Sequence, residues 1–307
     1  MNWLILVLIA VFSGSSHIYI DNYISDVYFK GRGAVSQKLF FAVAFVVIAI
    51  ILAAISGFDF FALEPKIYLF LILSGALSSL AGIPYYKALE IDDSTNLGIF
   101  IQIAPVLYLI LGWLFLGESI SLLQMAAFVI IMLAPFLIIA TARKRSRKVK
   151  MRAILYAFLY VLISVVGHLI FVKESSYEIS FVGSMALVVF GKGIGNAIIM
   201  ALRPKWSKRF VSVYQSSRRK VLRPLLGTLF FSTAKDFAYR AALILAPSVA
   251  LASAASDSAE PIIIFFMGIV LTLIWPKFGR EKLTRKSVLI HLLATVLVVI
   301  GVVLLQL

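Results

Sequence analysis

The sequence predicts an all-α polytopic membrane protein of ten transmembrane helices, arranged as two inverted five-helix repeats, and three observations carry that prediction. Of the 307 residues, 62% are apolar and 14% charged, with a mean hydropathy of +1.03. A water-soluble domain needs far more polar side chains to cover its own surface. Apolar runs of roughly twenty residues, each long enough to cross a bilayer core, recur from end to end. The charges sit between those runs, as in Arg143 to Arg152, which reads RKRSRKVKMR.

Apolar windows and their breakers place the first five helices near 2–20, 36–57, 66–87, 95–117 and 119–141, with Gly57, Pro65, Asp92, Asp93 and Gly117 as punctuation. The second five fall near 153–173, 180–202, 223–245, 248–275 and 286–307. Residues 1–142 then form one repeat, 143–152 a basic cytoplasmic linker and 153–307 the other repeat. The opening MNWLILVLIAVFSGSSH lacks the basic segment that precedes a signal peptide's apolar core, so it reads as a retained first helix.

If the helices alternate in direction, one side of the membrane receives Lys30, Arg32, Lys87, the 143–152 run, the Arg203 to Arg223 region and Lys277 to Lys286. The other side holds little beyond Lys66 and Lys173. Positive loops face the cytoplasm, so both termini are expected outside it, in a multi-pass protein of the cell membrane. The net charge of +15 is thereby accounted for by topology. No nucleic-acid partner is expected, because no aromatic-interleaved platform or recognition helix accompanies the basic loops. The chain has no cysteine, which excludes disulfides, thiolate metal sites and thiol nucleophiles.

The two halves resemble each other beyond hydropathy. Residues 94–106 read STNLGIFIQIAPV and residues 248–262 read SVALASAASDSAEPI, each opening on Ser and carrying a Pro one-third to one-half of the way along an apolar helix. An odd number of helices per repeat forces inversion, the arrangement of many transporters. Residues 85–138, YYKALEIDDSTNLGIFIQIAPVLYLILGWLFLGESISLLQMAAFVIIMLAPFLI, resemble EamA-type members of the drug/metabolite transporter superfamily through Tyr86, Ala88, Leu89, Pro105, Gly117 and Glu118. Tyr239, Ala241, Leu243, Ser248, Glu260, Pro261 and Glu281 form a weaker counterpart. The resemblance implies a substrate bound near the membrane centre, with access alternating between the two sides. Two features depart from the family: basic charge follows the first helix rather than the second, and SLLQMAAF lacks the Gly common in the fifth helix.

An ionisable side chain at the centre of a membrane helix costs about 2.5 to 3.5 kcal/mol, so such residues are functional candidates. Lys192 lies mid-way through the seventh helix, Lys235, Asp236 and Arg240 lie in the eighth, and Asp257 and Glu260 in the ninth. Asp236 and Arg240, four apart, share a face and suit an ion pair. Lys192 and Lys235 are expected either to attract a substrate carboxylate or phosphate, or to pair with Asp257 or Glu260. Tyr239 shares a stripe with Lys235. Asp257 and Glu260 are expected to carry protons or join ion pairs, since low dielectric favours a neutral carboxyl. Gln102 and His168 complete the substrate-binding candidates. GKGIGNA at 191–197 is read as close helix contact through Gly191 and Gly195, not as a nucleotide loop, because no strand precedes it.

The expected function is a secondary transporter of a small polar metabolite, an amino acid or organic anion, moved by alternating access with proton coupling or exchange. The alternative is a transporter or flippase of a lipid-linked sugar or nucleotide sugar. A membrane-embedded enzyme or a receptor is less favoured: there is no HExxH, no paired Asp motif of the intramembrane protease kind, no cysteine, and only three histidines on distant helices. No cofactor and no metal are expected. The expected partners are a small-molecule substrate and the lipid bilayer, with the chain a monomer or homodimer.

Overall fold

A computed structural model describes residues 2–28, 38–62, 64–91, 101–142, 151–175, 179–202, 204–274 and 285–304. These residues form eleven α-helices: α1 Trp3–Tyr28, α2 Lys38–Ile55, α3 Pro65–Leu80, α4 Gly82–Ile91, α5 Ala104–Leu116, α6 Leu122–Ala142, α7 Met151–Glu174, α8 Phe181–Leu202, α9 Pro204–Leu245, α10 Val249–Ile274 and α11 Arg285–Leu304. A short 3-10 turn, Asp59–Ala62, lies between α2 and α3. No strand occurs among the described residues.

Among the described residues six helical stretches are long and apolar enough to cross a membrane: Trp3–Ile24, Lys38–Ile55, Pro65–Ala88, Met151–Glu174, Phe181–Leu202 and Val249–Ile274. Ala104–Leu116, Leu122–Leu137 and Val288–Leu304 are shorter apolar helices. The predicted punctuation is visible in the backbone. Gly57 and Gly117 adopt φ of +66° and +69°, which favour glycine, and Pro65 opens α3 at a position where no N–H is needed. Asp92 and Asp93 lie outside the described residues. The third predicted helix is interrupted at Ala81, three residues before Pro84, whose missing N–H leaves the Leu80 carbonyl without its intrahelical donor.

Two expectations need correction. The first helix runs to Tyr28, not 20. The Arg203 to Arg223 region, read as a basic loop, is helical from Pro204, with a kink at Ser217 (φ −138°, ψ 25°) before α9 continues. Both extensions have one cause: Phe210, Val221 and Leu225 bury against Ile24, flanked by Tyr23, Tyr28, Val213 and Tyr214, and the Tyr28 hydroxyl donates to the Lys220 carbonyl. An amphipathic helix with a charged outer face escapes a hydropathy window because its two faces cancel. Pro105 lies in the first turn of α5 and Pro261 is internal to α10, while residues 95–100 of the predicted fourth helix lie outside the described residues.

The chain divides into two compact units: one holds Met1–Tyr19, Ile91–Ile154 and Ala234–Leu307, the other Ile20–Glu90 and Leu155–Thr233. In the first unit α10 packs on α5, α6 and α11. Leu6, Val7 and Val11 of α1 meet Ala242 of α9 and Ala255 and Ala259 of α10, and the His291 imidazole stacks on Phe265 at 3.8 Å. In the second unit α8 packs against α2 and α3.

The α3–α8 contact confirms the reading of Gly191 and Gly195. A Cβ on Gly191 would stand 1.9 Å from the Ile72 carbonyl oxygen, and one on Gly195 2.8 Å from that of Ala76. Reciprocally, a Cβ on Gly75 would stand 1.9 Å from the Val188 carbonyl oxygen. The backbones approach so closely only because small residues occupy both surfaces. The Ser74 hydroxyl donates to the Gly167 carbonyl at 2.6 Å, and that of Ser79 to the Lys192 carbonyl at 3.1 Å.

Candidate functional site

Seven of the nine predicted site residues fall in the first unit: Gln102, Lys235, Asp236, Tyr239, Arg240, Asp257 and Glu260. Lys192 and His168 belong to the second. The seven are carried by α9 and α10 and by the turn before α5, so that charges distant in sequence meet inside one unit.

Lys235 Nζ donates to Glu260 Oε1 at 3.1 Å, with side-chain exposures of 38% and 27%. This is the cross-helix pairing the sequence left open for the lysines. The pair is half-open, not sealed. Arg240 Nε bonds Asp236 Oδ1 at 3.3 Å, and the Arg240 side chain is fully buried. That pairing follows the i, i+4 expectation, and its burial suits a role in helix packing.

Asp257 extends the cluster. Its Oδ2 accepts from the Ser253 hydroxyl at 2.9 Å, one turn earlier on α10. Ser253 also hydrogen-bonds Tyr239, and Tyr239 shares a hydrogen bond with Tyr108 of α5. A chain of hydroxyls therefore joins Tyr108, Tyr239, Ser253 and Asp257. Glu260 and Lys235 both act electrostatically on Asp257. Gln102 Nε2 lies 3.5 Å from the Asp257 carbonyl oxygen, in the non-helical turn that precedes α5.

Three participants escaped the sequence reading. Tyr108 is buried in α5 and looked like one more apolar-helix aromatic. Gly14 of α1 faces the ion pair: a Cβ there would stand 2.9 Å from Lys235 Nζ and 3.1 Å from Glu260 Oε1. The signal was present in Ser13-Gly14-Ser15-Ser16, a run of small polar residues inside an otherwise apolar helix, in which all three serines are buried. Glu118, noted only for resemblance, spans to the start of α10, where both its oxygens lie 3.1 Å from the Val249 N–H. Burial pushes the Glu118 carboxyl above its ordinary range and that N–H draws it partly back. Its placement at a helix N-terminus explains why a carboxylate is suited there.

In the second unit Lys192 Nζ lies 5.8 Å from the Phe45 ring centroid, a cation–π contact between α8 and α2. Asp59, in the 3-10 turn between α2 and α3, accepts through Oδ2 the N–H of Ser180 at 2.9 Å, just before α8, and the Ser180 hydroxyl accepts the Gly183 N–H at 3.0 Å, capping that helix. Burial acts to raise the Asp59 carboxyl, but the hydrogen bonds from Ser180, Ser56 and Phe60 outweigh it and hold the group below its ordinary range. Among the described residues no group of three His, Cys, Asp or Glu side chains could hold a metal ion.

The membrane-length apolar helices among the described residues mark a multi-pass membrane protein. Residues 1–140 match the model of the EamA-like transporter family. The match covers 140 of the 307 residues, and the residues that carried the resemblance, Tyr86 to Glu118, lie within it. No curated protein matches the chain. Among solved structures, one described as "Crystal structure of protein" is similar with a TM-score of 0.64 at 13% identity, covering 97% of this chain and 94% of that one. At that identity the likeness concerns the fold alone.

Proposed function

We propose that the chain is a secondary transporter whose ten helices form two inverted repeats, 1–142 and 153–307, joined by the basic segment 143–152, and that it moves a small zwitterion or organic anion by alternating access. The half-open Lys235–Glu260 pair supports this reading. A zwitterion can exchange places with it, its carboxylate taking the ammonium and its amine the carboxylate, so that neither protein charge is left alone in low dielectric. Asp257, at the end of the hydroxyl chain and beside Glu260, is suited to take up and release a proton in each cycle. With no nucleotide-binding motif in the sequence, a gradient or exchange supplies the energy.

Counterflow in liposomes containing the purified protein tests the reading. Labelled amino acids should exchange faster than sugar phosphates or organic cations, and silence in every class would overturn it. Asp257→Asn should leave counterflow within about twofold of wild type while abolishing accumulation driven by a pH gradient, since a neutral amide cannot carry the proton.

The orientation proposed from the loops places both termini outside the cytoplasm. A reporter active only in the cytoplasm, fused after Leu307, should be silent, and strong signal there would reverse the topology.

A further inference from the structure

Two features of the second unit remain outside the transport reading. One is a groove of about 630 Å³ along α2 and α8, lined by Leu39, Val43, Val46, Gly193, Ala197 and Ala201 and ending at Ser207. Its lining is apolar apart from that serine, and Val43 and Val47 on its rim are 64% and 51% exposed. Both helices are long and apolar enough to cross the membrane, so the groove runs along a membrane-spanning surface.

The other feature is the helix that begins where the groove ends. Between 203 and 223 stand Arg203, Lys205, Lys208, Arg209, Arg218, Arg219, Lys220 and Arg223, with no acidic residue. Up to the kink at Ser217 this segment is amphipathic. Phe210, Val213 and Tyr214 lie on the side that packs beside Ile24. Lys205, Lys208 and Ser212, spaced by three and four, share the opposite face, and all three are exposed. The segment starts two residues after Leu202, the end of α8, and so lies within the first turns beyond the bilayer core. Ser207, which closes the groove, is the chain neighbour of Lys208.

We infer that this surface is a binding site for an anionic phospholipid, one acyl chain lying in the α2–α8 groove and the headgroup phosphate meeting the basic face at Lys205 and Lys208. The apolar lining suits a hydrocarbon chain, and the adjoining basic segment carries no acidic residue of its own. Basic side chains next to a membrane span attract anionic headgroups, each by about 1 kcal/mol near the surface, which is roughly a fivefold change in occupancy. The site lies within one unit and needs no feature of the ion-pair cluster, so it stands or falls independently of transport.

Because the chain contains no cysteine, Ala201→Cys offers one labelling position, exposed and in the groove wall. The full-length protein carrying a bimane fluorophore there, in nanodiscs, should be quenched at least about fivefold more effectively by acyl-spin-labelled phosphatidylglycerol than by the corresponding phosphatidylcholine at equal mole fraction. Lys205→Gln with Lys208→Gln should equalise the two lipids, and Lys205→Arg with Lys208→Arg should retain the preference. Glycerophosphoglycerol, which has no acyl chains, should not displace the spin-labelled lipid from the groove. The Gln variant's melting temperature in phosphatidylcholine discs, unchanged from wild type, establishes that it is folded. Equal quenching by the two lipids in the wild type, a preference that survives the Gln substitutions, or displacement by the soluble headgroup would each overturn the assignment.

Discussion

Lys235→Ala is expected to reduce counterflow of a transported amino acid at least a hundredfold. The ammonium is 3.1 Å from Glu260, and Asp257 stands on the same helix three residues earlier. Its removal takes away both the cation that would hold a substrate carboxylate and the charge that balances the two acids. A lone charge at membrane depth costs about 2.5 to 3.5 kcal/mol, so the vacated site becomes acidic or takes up a proton, and a substrate carboxylate is repelled from it or left without its partner. A purely structural pair would behave differently. If the bridge only secures α9 to α10, Lys235→Met combined with Glu260→Gln removes both charges together and should restore folded protein and transport alike. If it binds substrate, the double variant restores folded protein, measured by its melting temperature, while counterflow stays lost. Wild-type counterflow in either Lys235 variant would remove this residue from the site.

Gly191→Ala is expected to lower the melting temperature by several degrees or prevent recovery of folded protein. The added methyl meets a backbone carbonyl oxygen at 1.9 Å, an obstacle that no rotamer change relieves. Relief requires α3 and α8 to separate, and overpacking of this kind costs about 1 to 3 kcal/mol or more. Gly75→Ala attacks the same contact from the opposite helix, so the two effects should fall short of additive when combined. Gly227→Ala is the comparison. Its nearest neighbour would be the Ile20 Cδ1 atom at 3.5 Å, an ordinary contact, so that variant should keep or slightly raise the melting temperature through helix propensity. A Gly191→Ala protein that melts with the Gly227→Ala protein would refute the close-packing account.

The legible parts of the site were those governed by spacing along one helix. The pairing of Asp236 with Arg240 follows from four residues on one face, and Gly191 with Gly195 from small-xxx-small periodicity. Lys235 had two acids to choose between on another helix, and hydropathy does not say which turn of α10 faces which turn of α9. Tyr108 stayed hidden for the same reason: its hydroxyl matters only because Tyr239 arrives opposite it. The amphipathic start of α9 was misread because Phe210 and Tyr214 bury against a stretch of α1 that was itself expected to have ended.

Composition and periodicity alone determined that this chain lives in a membrane and which of its apolar segments hold charges, because lipid imposes those requirements residue by residue along each segment. Gly14 against the Lys235–Glu260 pair, Glu118 at the head of α10 and a hydroxyl chain ending on Asp257 were decided only by tertiary structure. Each depends on the rotation and depth at which one helix meets another, and packing sets these, not hydrophobicity.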